Sequence, residues 1–251
     1  MSIVIAEDEI APAIEQACLA AHDGSGALIQ AHARGRSVGV EAFFYRGEVL
    51  HAFVMNDEYE PGFVSPAGHS LPTALSQRDQ AELRLQVAAW GRALGLRDGA
   101  ANFDLRLLRG HAQLIEANLR LGGNSITELI RLGCGVDLSS AVLAGALSRS
   151  PLPYFEQGRE SIPVASRLLL KRQQGTIASQ GDLSSWHAHP DVVQLQVAGP
   201  GEQPVRVNDW SIVGRCIVRG SDARAAAELA EEISDDVIAQ LRFERSHVGR
   251  R

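Results

Sequence analysis

The feature that most restricts the fold is a short stretch in the middle of the chain, QLIEANLRLGGNS, at residues 113–125. It places Glu116, Asn118 and Arg120 on alternate positions and then breaks into two glycines. Alternate side chains of a β-strand point to the same face of a sheet. The stretch therefore predicts a strand that presents an acid, an amide and a guanidinium on one face and ends at a glycine turn.

A second strand is predicted immediately before this one. Residues 101–108, ANFDLRLL, alternate in the same way, and Arg109 and Gly110 supply a hairpin turn. Asp104 reaches the face of Glu116 if the turn contains an odd number of residues. Carboxylate and amide oxygens are hard ligands of the kind that Mg²⁺ prefers, and a guanidinium can hold a phosphoryl oxygen. Spacing alone leaves open an ordinary solvated sheet face.

The two glycines lead into a predicted helix. Ser125 and Glu128 have the spacing of an S-x-x-E capping box. Glycines before a helix N-terminus expose backbone N–H groups to an anion, so Gly122 and Gly123 can let a carboxylate or acyl phosphate approach closely.

The rest of the chain is predicted to be α+β, mostly antiparallel, with helices that cover one face of the sheet. Ser76 is the predicted N-cap of the clearest helix. The predicted elements are strands at 2–6 and 26–32, a helix at 7–22, a hairpin at 37–56 that turns at Arg46-Gly47, a loop at 58–72, a helix at 73–96, two helical pieces in 125–147 broken at Gly133 and Gly135, and a helix at 221–241.

Composition restricts the class of protein. The chain has 251 residues and a net charge of −6, which gives no basic surface for nucleic acid. No apolar run approaches the roughly 20 residues of a membrane helix, and the N-terminus lacks the pattern of a signal peptide. The cysteines Cys18, Cys134 and Cys216 are odd in number and far apart, which predicts buried thiols in a reducing compartment. We expect a cytoplasmic enzyme or subunit that binds neither nucleic acid nor membrane.

Residues 99–147 resemble the C-terminal core of ATP-grasp enzymes. That family has an acid or amide on one strand, an E-x-N-x-R strand, glycines and a GvDl helix. By this resemblance Asp104, Glu116 and Asn118 are the ligands of Mg²⁺, with Mn²⁺ as the alternative ion. Arg120 is the catalytic arginine that contacts the transferred phosphoryl group. Leu119 departs from the pattern, since proline is usual there.

The resemblance extends to both sides of this core. Residues 27–53 look like the hinge strand and hairpin where adenine lies, and residues 63–75 look like the GH..P loop of carboxylate–amine ligases. The residues implied for nucleotide binding are Gln30, His32, Glu41 and His69. The residues implied for substrate binding are Gly68, Gly122, Gly123 and Asn124.

The implied organisation is the C-terminal part of an ATP-grasp enzyme. Residues 1–34 are the expected remnant of the lid and hinge, 35–150 the core with the metal site, and 151–251 a small α+β subdomain. The N-terminal domain and most of the lid are expected to be absent, since Lys171 is the only lysine in the chain. A homo-oligomer or a partner chain that supplies the missing part is therefore expected.

The implied function is ATP-dependent joining of a carboxylate to an amine through an acyl phosphate. The alternative is an inactive ATP-grasp-like binding or scaffold subunit, which is favoured by Gln30 and Ala31 where the family usually has glutamate. A biotin-carboxylase-like or carbamoyl-phosphate-synthase-like reaction is a further alternative on the same fold.

Overall fold

The computed structural model describes residues 3–21, 24, 26–63, 65–158, 160–207 and 209–244. The strands are β1 (Arg36–Tyr45), β2 (Glu48–Glu58), β3 (Gly68–Leu71), β4 (Gly99–Leu108), β5 (His111–Asn118), β6 (Val164–Lys171), β7 (Ile177–Ser179), β8 (Val192–Val197), β9 (Val205–Val207), β10 (Trp210–Arg219) and β11 (Arg242–Phe243). The helices are α1 (Ile10–Ala20), α2 (Gln77–Ala93), α3 (Ile126–Cys134), α4 (Leu138–Ala146), α5 (Pro153–Glu156), α6 (Ser184–His187) and α7 (Ala223–Gln240), and a 3-10 turn at Glu7–Glu9 precedes α1.

One antiparallel sheet of nine strands organises the molecule. Its order is β5-β4-β1-β2-β3-β6-β10-β8, and β9 pairs with β10. Helices α3 and α4 pack on one face of the β1–β2 half, and α2 packs on the other face. Helix α7 covers the β6–β10 half. This confirms the predicted α+β class, a largely antiparallel sheet flanked by helices, but the helices lie on both faces of the sheet and not on one. The sheet runs without a break from β3 to β6, so the division of the chain at residue 150 stays a prediction.

The β4–β5 hairpin has the predicted turn but an unexpected register. Arg109 and Gly110 form the turn with φ of 53° and 80°, which is a left-handed conformation at both positions. A two-residue turn would place Asp104 and Glu116 on opposite faces. The register shifts between Asp104 and Leu105, where Ile115 is the extra residue, and Asp104 therefore pairs directly with Glu116. The bulge, and not an odd turn, brings the two carboxylates together.

Three strand and loop predictions are wrong. Residues 3–6 and 26–34 contain no strand, and Ser2 lies outside the described residues. Their apolar side chains have no partner strand, since Ile5 is 88% exposed and Leu28 is 83% exposed. The predicted loop at 58–72 contains strand β3, which is buried between β2 and β6 and bonded to both.

Helix termini show one confirmed cap and one incorrect one. Ser76 accepts a hydrogen bond from the N–H of Asp79, as a true N-cap does. Ser125 precedes α3 in a left-handed conformation, φ 65°, which turns its Oγ toward Arg215 instead of the helix N–H groups. Glu128 accepts a hydrogen bond from the Thr127 hydroxyl. The predicted capping box is therefore absent.

The prediction of buried thiols holds for two of the three cysteines. Cys134 and Cys216 are buried, whereas Cys18 is exposed on α1 because that helix buries none of its residues.

Within the described residues, no single helix is long and apolar enough to cross a membrane. The pair α3–α4, bent by 110°, reaches that length and apolarity only when its two helices are taken together.

Candidate functional site

Four polar side chains lie in two directly paired rows at one end of the β4–β5 hairpin. Asp104 pairs with Glu116, and Asn102 pairs with Asn118. Directly opposed residues of an antiparallel pair project from the same face, with their Cβ atoms about 5 Å apart. The predicted ligands Asp104, Glu116 and Asn118 therefore share one face of the hairpin.

This is the face that carries α3 and α4. Asp104 also pairs with Gly39 of β1, and Gly39 pairs with Met55, whose side chain belongs to the core beneath these helices. The polar rows thus lie beside a closed apolar core, where a ligand on the face is partly shielded from water.

No salt bridge joins the negative charges at this place to a cation among the described residues. In the part of the chain that the structure describes, neither Asp104 nor Glu116 accepts a hydrogen bond or forms a salt bridge. Burial raises the pKa of Asp104, and the nearby charges of Asp57 and Glu116 raise it further. The described residues contain no group of three or more His, Cys, Asp or Glu side chains that could hold a metal ion. The set here has two carboxylates and an amide, a donor set that fits Mg²⁺ completed by water or phosphate.

Arg120 lies beyond the strand on which it was predicted. Strand β5 ends at Asn118, and Arg120 is exposed in the following turn. Its Nη1 donates to the Leu121 carbonyl at 2.8 Å. Its charge lowers the pKa of both Glu41 and Asp104, although burial raises each of these pKa values more strongly. The guanidinium is thus near enough to act on the carboxylate cluster without being bonded to it.

Glu41 holds the glycine turn. It is fully buried, and both of its carboxylate oxygens accept from the N–H of Gly122, at 3.2 and 3.1 Å. Its Oε2 also accepts from Asn102 Nδ2 at 3.1 Å. The sequence predicted that the Gly122 N–H binds an anionic ligand. In the structure this N–H donates to the Glu41 carboxylate instead.

His69 lies in a buried pair that the sequence did not predict. Its Nδ1 is 3.1 Å from Asp57 Oδ1, and the two side chains are 5% and 1% exposed. Asp57 also accepts from the Ser37 hydroxyl at 2.6 Å, which in turn lies 2.7 Å from the Tyr59 hydroxyl. Asp57 occupies the end of a strand with no recognisable motif around it, so only the pairing of β2 with β3 reveals it.

The remaining predicted residues lie in different surroundings. Gln30 and His32 are exposed in a segment without helix or strand. Gly123 is exposed, and Asn124 is exposed with its Nδ2 donating to the Pro66 carbonyl. Gly68 is buried, because β3 and β6 approach closely there. The structure brings Gly122 to Glu41 and leaves Gln30 and His32 at the surface.

Lys171 stabilises a helix end. Its Nζ donates to the carbonyls of Ile238 and Leu241, at 2.7 and 2.8 Å, at the C-terminus of α7. The one lysine of the sequence therefore has a structural role at the end of α7 and does not need a bound ligand as its partner.

A buried carboxyl group and a half-buried imidazole should give the free energy of unfolding opposite dependences on pH. Burial raises the pKa of Glu41 from 4.5 to about 7, so its contribution falls as pH rises through that window. Burial and the charge of Arg84 lower the pKa of His51 from 6.5 to about 4, so its contribution is full above 6.5 and is lost as pH falls toward 4. We expect the two contributions to oppose each other between pH 4.5 and 6.5.

Thermal melts across this range test that expectation. Glu41→Gln should give a Tm that rises more steeply with pH through the window, because the opposing contribution of Glu41 is removed and that of His51 remains. His51→Gln should give a Tm that falls. Equal slopes in the two variants would contradict the assignment.

Comparison with known proteins shows partial sequence similarity to one kind of enzyme. No protein-family model matches the sequence. The chain is 30% identical to carnosine synthase 1 of Gallus gallus over 131 residues, which are 51% of this chain and 14% of the relative. It is 28% identical to carnosine synthase 1 of Homo sapiens over 169 residues, 65% of this chain and 20% of the relative. The chain thus spans a fifth or less of the length of these curated relatives.

Solved structures resemble the chain along almost its full length. The L-amino acid ligase from Bacillus licheniformis matches with a TM-score of 0.76 and 18% identity, over 96% of this chain and 61% of that one. Phosphoribosylglycinamide synthetase from Anaerococcus prevotii matches with a TM-score of 0.68 and 20% identity, over 95% and 60%. These likenesses show that the chain has the ATP-grasp fold that its E-x-N-x-R strand and glycine turn predicted.

Proposed function

We propose that this chain is part of an ATP-dependent ligase that joins a carboxylate to an amine. The observation that carries the proposal is the direct pairing of Asp104 with Glu116, with Asn118 on the same face and Arg120 just beyond. Two adjacent carboxylates without a salt bridge repel each other, and the charge of Arg120 only partly offsets this at Asp104, so a bound cation would stabilise the pair. The similarity to carnosine synthases and the fold shared with an L-amino acid ligase support the same reaction class.

In this proposal Asp104, Glu116 and Asn118 hold Mg²⁺, with Mn²⁺ as a substitute. The ion would neutralise charge on the phosphates of ATP, and its charge offsets the like-charge repulsion that raises the pKa of Asp104. The exposed guanidinium of Arg120 would leave the Leu121 carbonyl and turn toward a phosphoryl oxygen, where its charge stabilises the negative charge that develops during transfer.

The proposed reaction has two steps. A carboxylate oxygen of the acid attacks the terminal phosphorus of ATP, the bond to the bridging oxygen breaks, and ADP leaves. The amine then attacks the carbonyl carbon of the acyl phosphate, loses a proton, and inorganic phosphate leaves as the amide bond forms. Gly123 and Asn124 lie at the exposed start of α3 and are the groups we propose for the carboxylate or acyl-phosphate end. His69 and Gly68 are proposed for the neighbouring part of the nucleotide or substrate site, and Gln30 and His32 for the adenine end.

Further polypeptide surface is proposed to complete the site. Helix α1 buries none of its residues, and Leu19 and Leu28 are 80% and 83% exposed. Exposed apolar groups of this kind mark a surface that another polypeptide covers. We propose that a second copy or a partner chain covers this surface and supplies the cationic groups that lie over the phosphates.

The isolated 251-residue chain is therefore expected to bind MgATP weakly. Phosphate binding needs cationic groups around the transferred group, and Lys171 is committed to the end of α7. Isothermal titration with MgATP should give a Kd above roughly 100 μM, which corresponds to about −5.5 kcal/mol. Micromolar binding by the isolated chain would contradict the proposal that further surface is required.

A further inference from the structure

We propose that Glu41 is a positioning residue: its buried carboxylate holds the backbone of Gly122 and so fixes the turn that carries Arg120. The catalytic consequence of this role rests on the proposed function, whereas the contact itself does not. Glu41 thereby acts through the turn and not on the nucleotide.

The contacts of Glu41 join three separate parts of the chain. Glu41 belongs to β1, Asn102 to β4, and Gly122 to the turn after β5. The carboxylate accepts from the Asn102 side chain and from the Gly122 backbone. Asn102 in turn pairs with Asn118, one of the proposed metal ligands. The position of the turn is thus tied to the strand pair that carries the metal site.

A side chain at Gly122 would displace the side chains packed around the turn. A Cβ there would lie 2.7 Å from Glu41 Oε2, 2.8 Å from Ile126 Cδ1 and 3.1 Å from Asn102 Nδ2. The close approach of the backbone to the carboxylate is therefore the reason for glycine at this position. The Glu41 carboxylate limits the size of the residue at position 122, and the Gly122 N–H fixes the position of the carboxylate.

Few other contacts hold this end of the turn. The β4–β5 ladder stops at Asn118, and Arg120 bonds only within its own segment, to Asn118 and Leu121, among the described residues. The next attachments come after Gly123, where Asn124 meets Pro66 and Ser166 at 3.4 Å. Leu121 also packs against the core beneath α3, and Glu41 is the hydrogen-bonded anchor nearest to Arg120 on the side of the sheet.

Burial of the Glu41 carboxylate costs desolvation free energy, which its hydrogen bonds to the turn offset in part. Desolvation raises the pKa of this carboxyl, while Gly122, Asn102 and Arg120 favour its charged form. A glutamine or an apolar residue would fill the same space without that cost, so an ionisable group here is best explained by the charge-assisted bond to the turn.

Amide hydrogen exchange on the 251-residue chain tests the contact directly. Glu41→Ala should accelerate exchange of the Gly122 N–H by about tenfold or more, and Glu41→Gln by less, because the amide oxygen can still accept. Glu48→Ala is the matched control, since Glu48 is an exposed carboxylate on the adjacent strand. If Glu41→Ala fails to fold, the Gln variant carries the test. Unchanged exchange at Gly122 in a folded Glu41 variant would overturn the proposal.

Ligase turnover tests the consequence. Where the wild-type protein, with its partner surface present, turns over, Glu41→Gln should lower kcat by about tenfold and leave the KM for MgATP within about twofold. A rise in KM with unchanged kcat would assign Glu41 to nucleotide binding and overturn its positioning role. Absence of turnover in the wild type would contradict the proposed function alone, and the exchange result would still decide whether Glu41 holds the turn.

Discussion

Replacement of Glu116 by glutamine is expected to lower MgATP-dependent turnover by roughly 100-fold or more, since a catalytic metal supplies several kcal/mol of charge stabilisation. The shape of the side chain is kept, but one of the two paired negative charges is lost. Glu116 is exposed and bonded to no other described group, so the Tm should change by less than about 2 °C. A large loss of activity without a loss of stability is the expected sign of a ligand residue.

The matched control is Glu48→Gln, which removes a carboxylate that is also exposed but lies outside the β4–β5 hairpin. It should leave both turnover and Tm nearly unchanged. Mn²⁺ binding to the isolated chain, followed by electron paramagnetic resonance, gives a second measurement that needs no turnover. Glu116→Gln should weaken Mn²⁺ binding by about tenfold or more, because the metal needs the carboxylate charge. Equal affinity in wild type and variant would exclude Glu116 as a ligand.

The hairpin that carries the site was predictable because its information is local. Alternation fixes which side chains share a face, and Arg109-Gly110 fixes the turn. The predicted caps depended on backbone conformation as well as on residue type. Ser76 caps α2, whereas Ser125 in a left-handed conformation cannot cap α3.

The parts that could not be predicted depend on contacts distant in the sequence. The bulge at Ile115 decides the relative position of Asp104 and Glu116, and no residue type marks it. Glu41 meets Gly122 across 81 positions of chain. The pairing of Asp57 with His69 requires β3, which is too short and too rich in loop residues to be recognised as a strand. The partner of each of these residues is set by the strand register, which the sequence does not reveal.

The glycines of the predicted substrate site differ in their physical reason for being glycine, and Gly68 should show the largest effect on stability. A Cβ at Gly68 would overlap the Ser166 carbonyl oxygen and lie 3.1 Å from Arg167 Cα, both backbone atoms of β6. Backbone cannot move aside as the end of a side chain can. The pairing of β3 with β6 is also the link between the two halves of the sheet.

We therefore expect Gly68→Ala to cost about 3 kcal/mol of unfolding free energy, at the upper end for a side chain forced into a packed interior. For a chain of this size that corresponds to a Tm lower by roughly 6–12 °C, measured by circular dichroism. Gly123→Ala is the control, because an added Cβ there meets no atom within 4 Å. Its Tm should stay within about 2 °C, since substitutions of this kind change stability by only a few tenths of a kcal/mol. If Gly68→Ala has the same Tm as the wild type, the close approach of β3 and β6 is not the reason for glycine at this position. If Gly123→Ala keeps its Tm but loses affinity for the acid substrate, the open glycine at the start of α3 is the one that the ligand approaches.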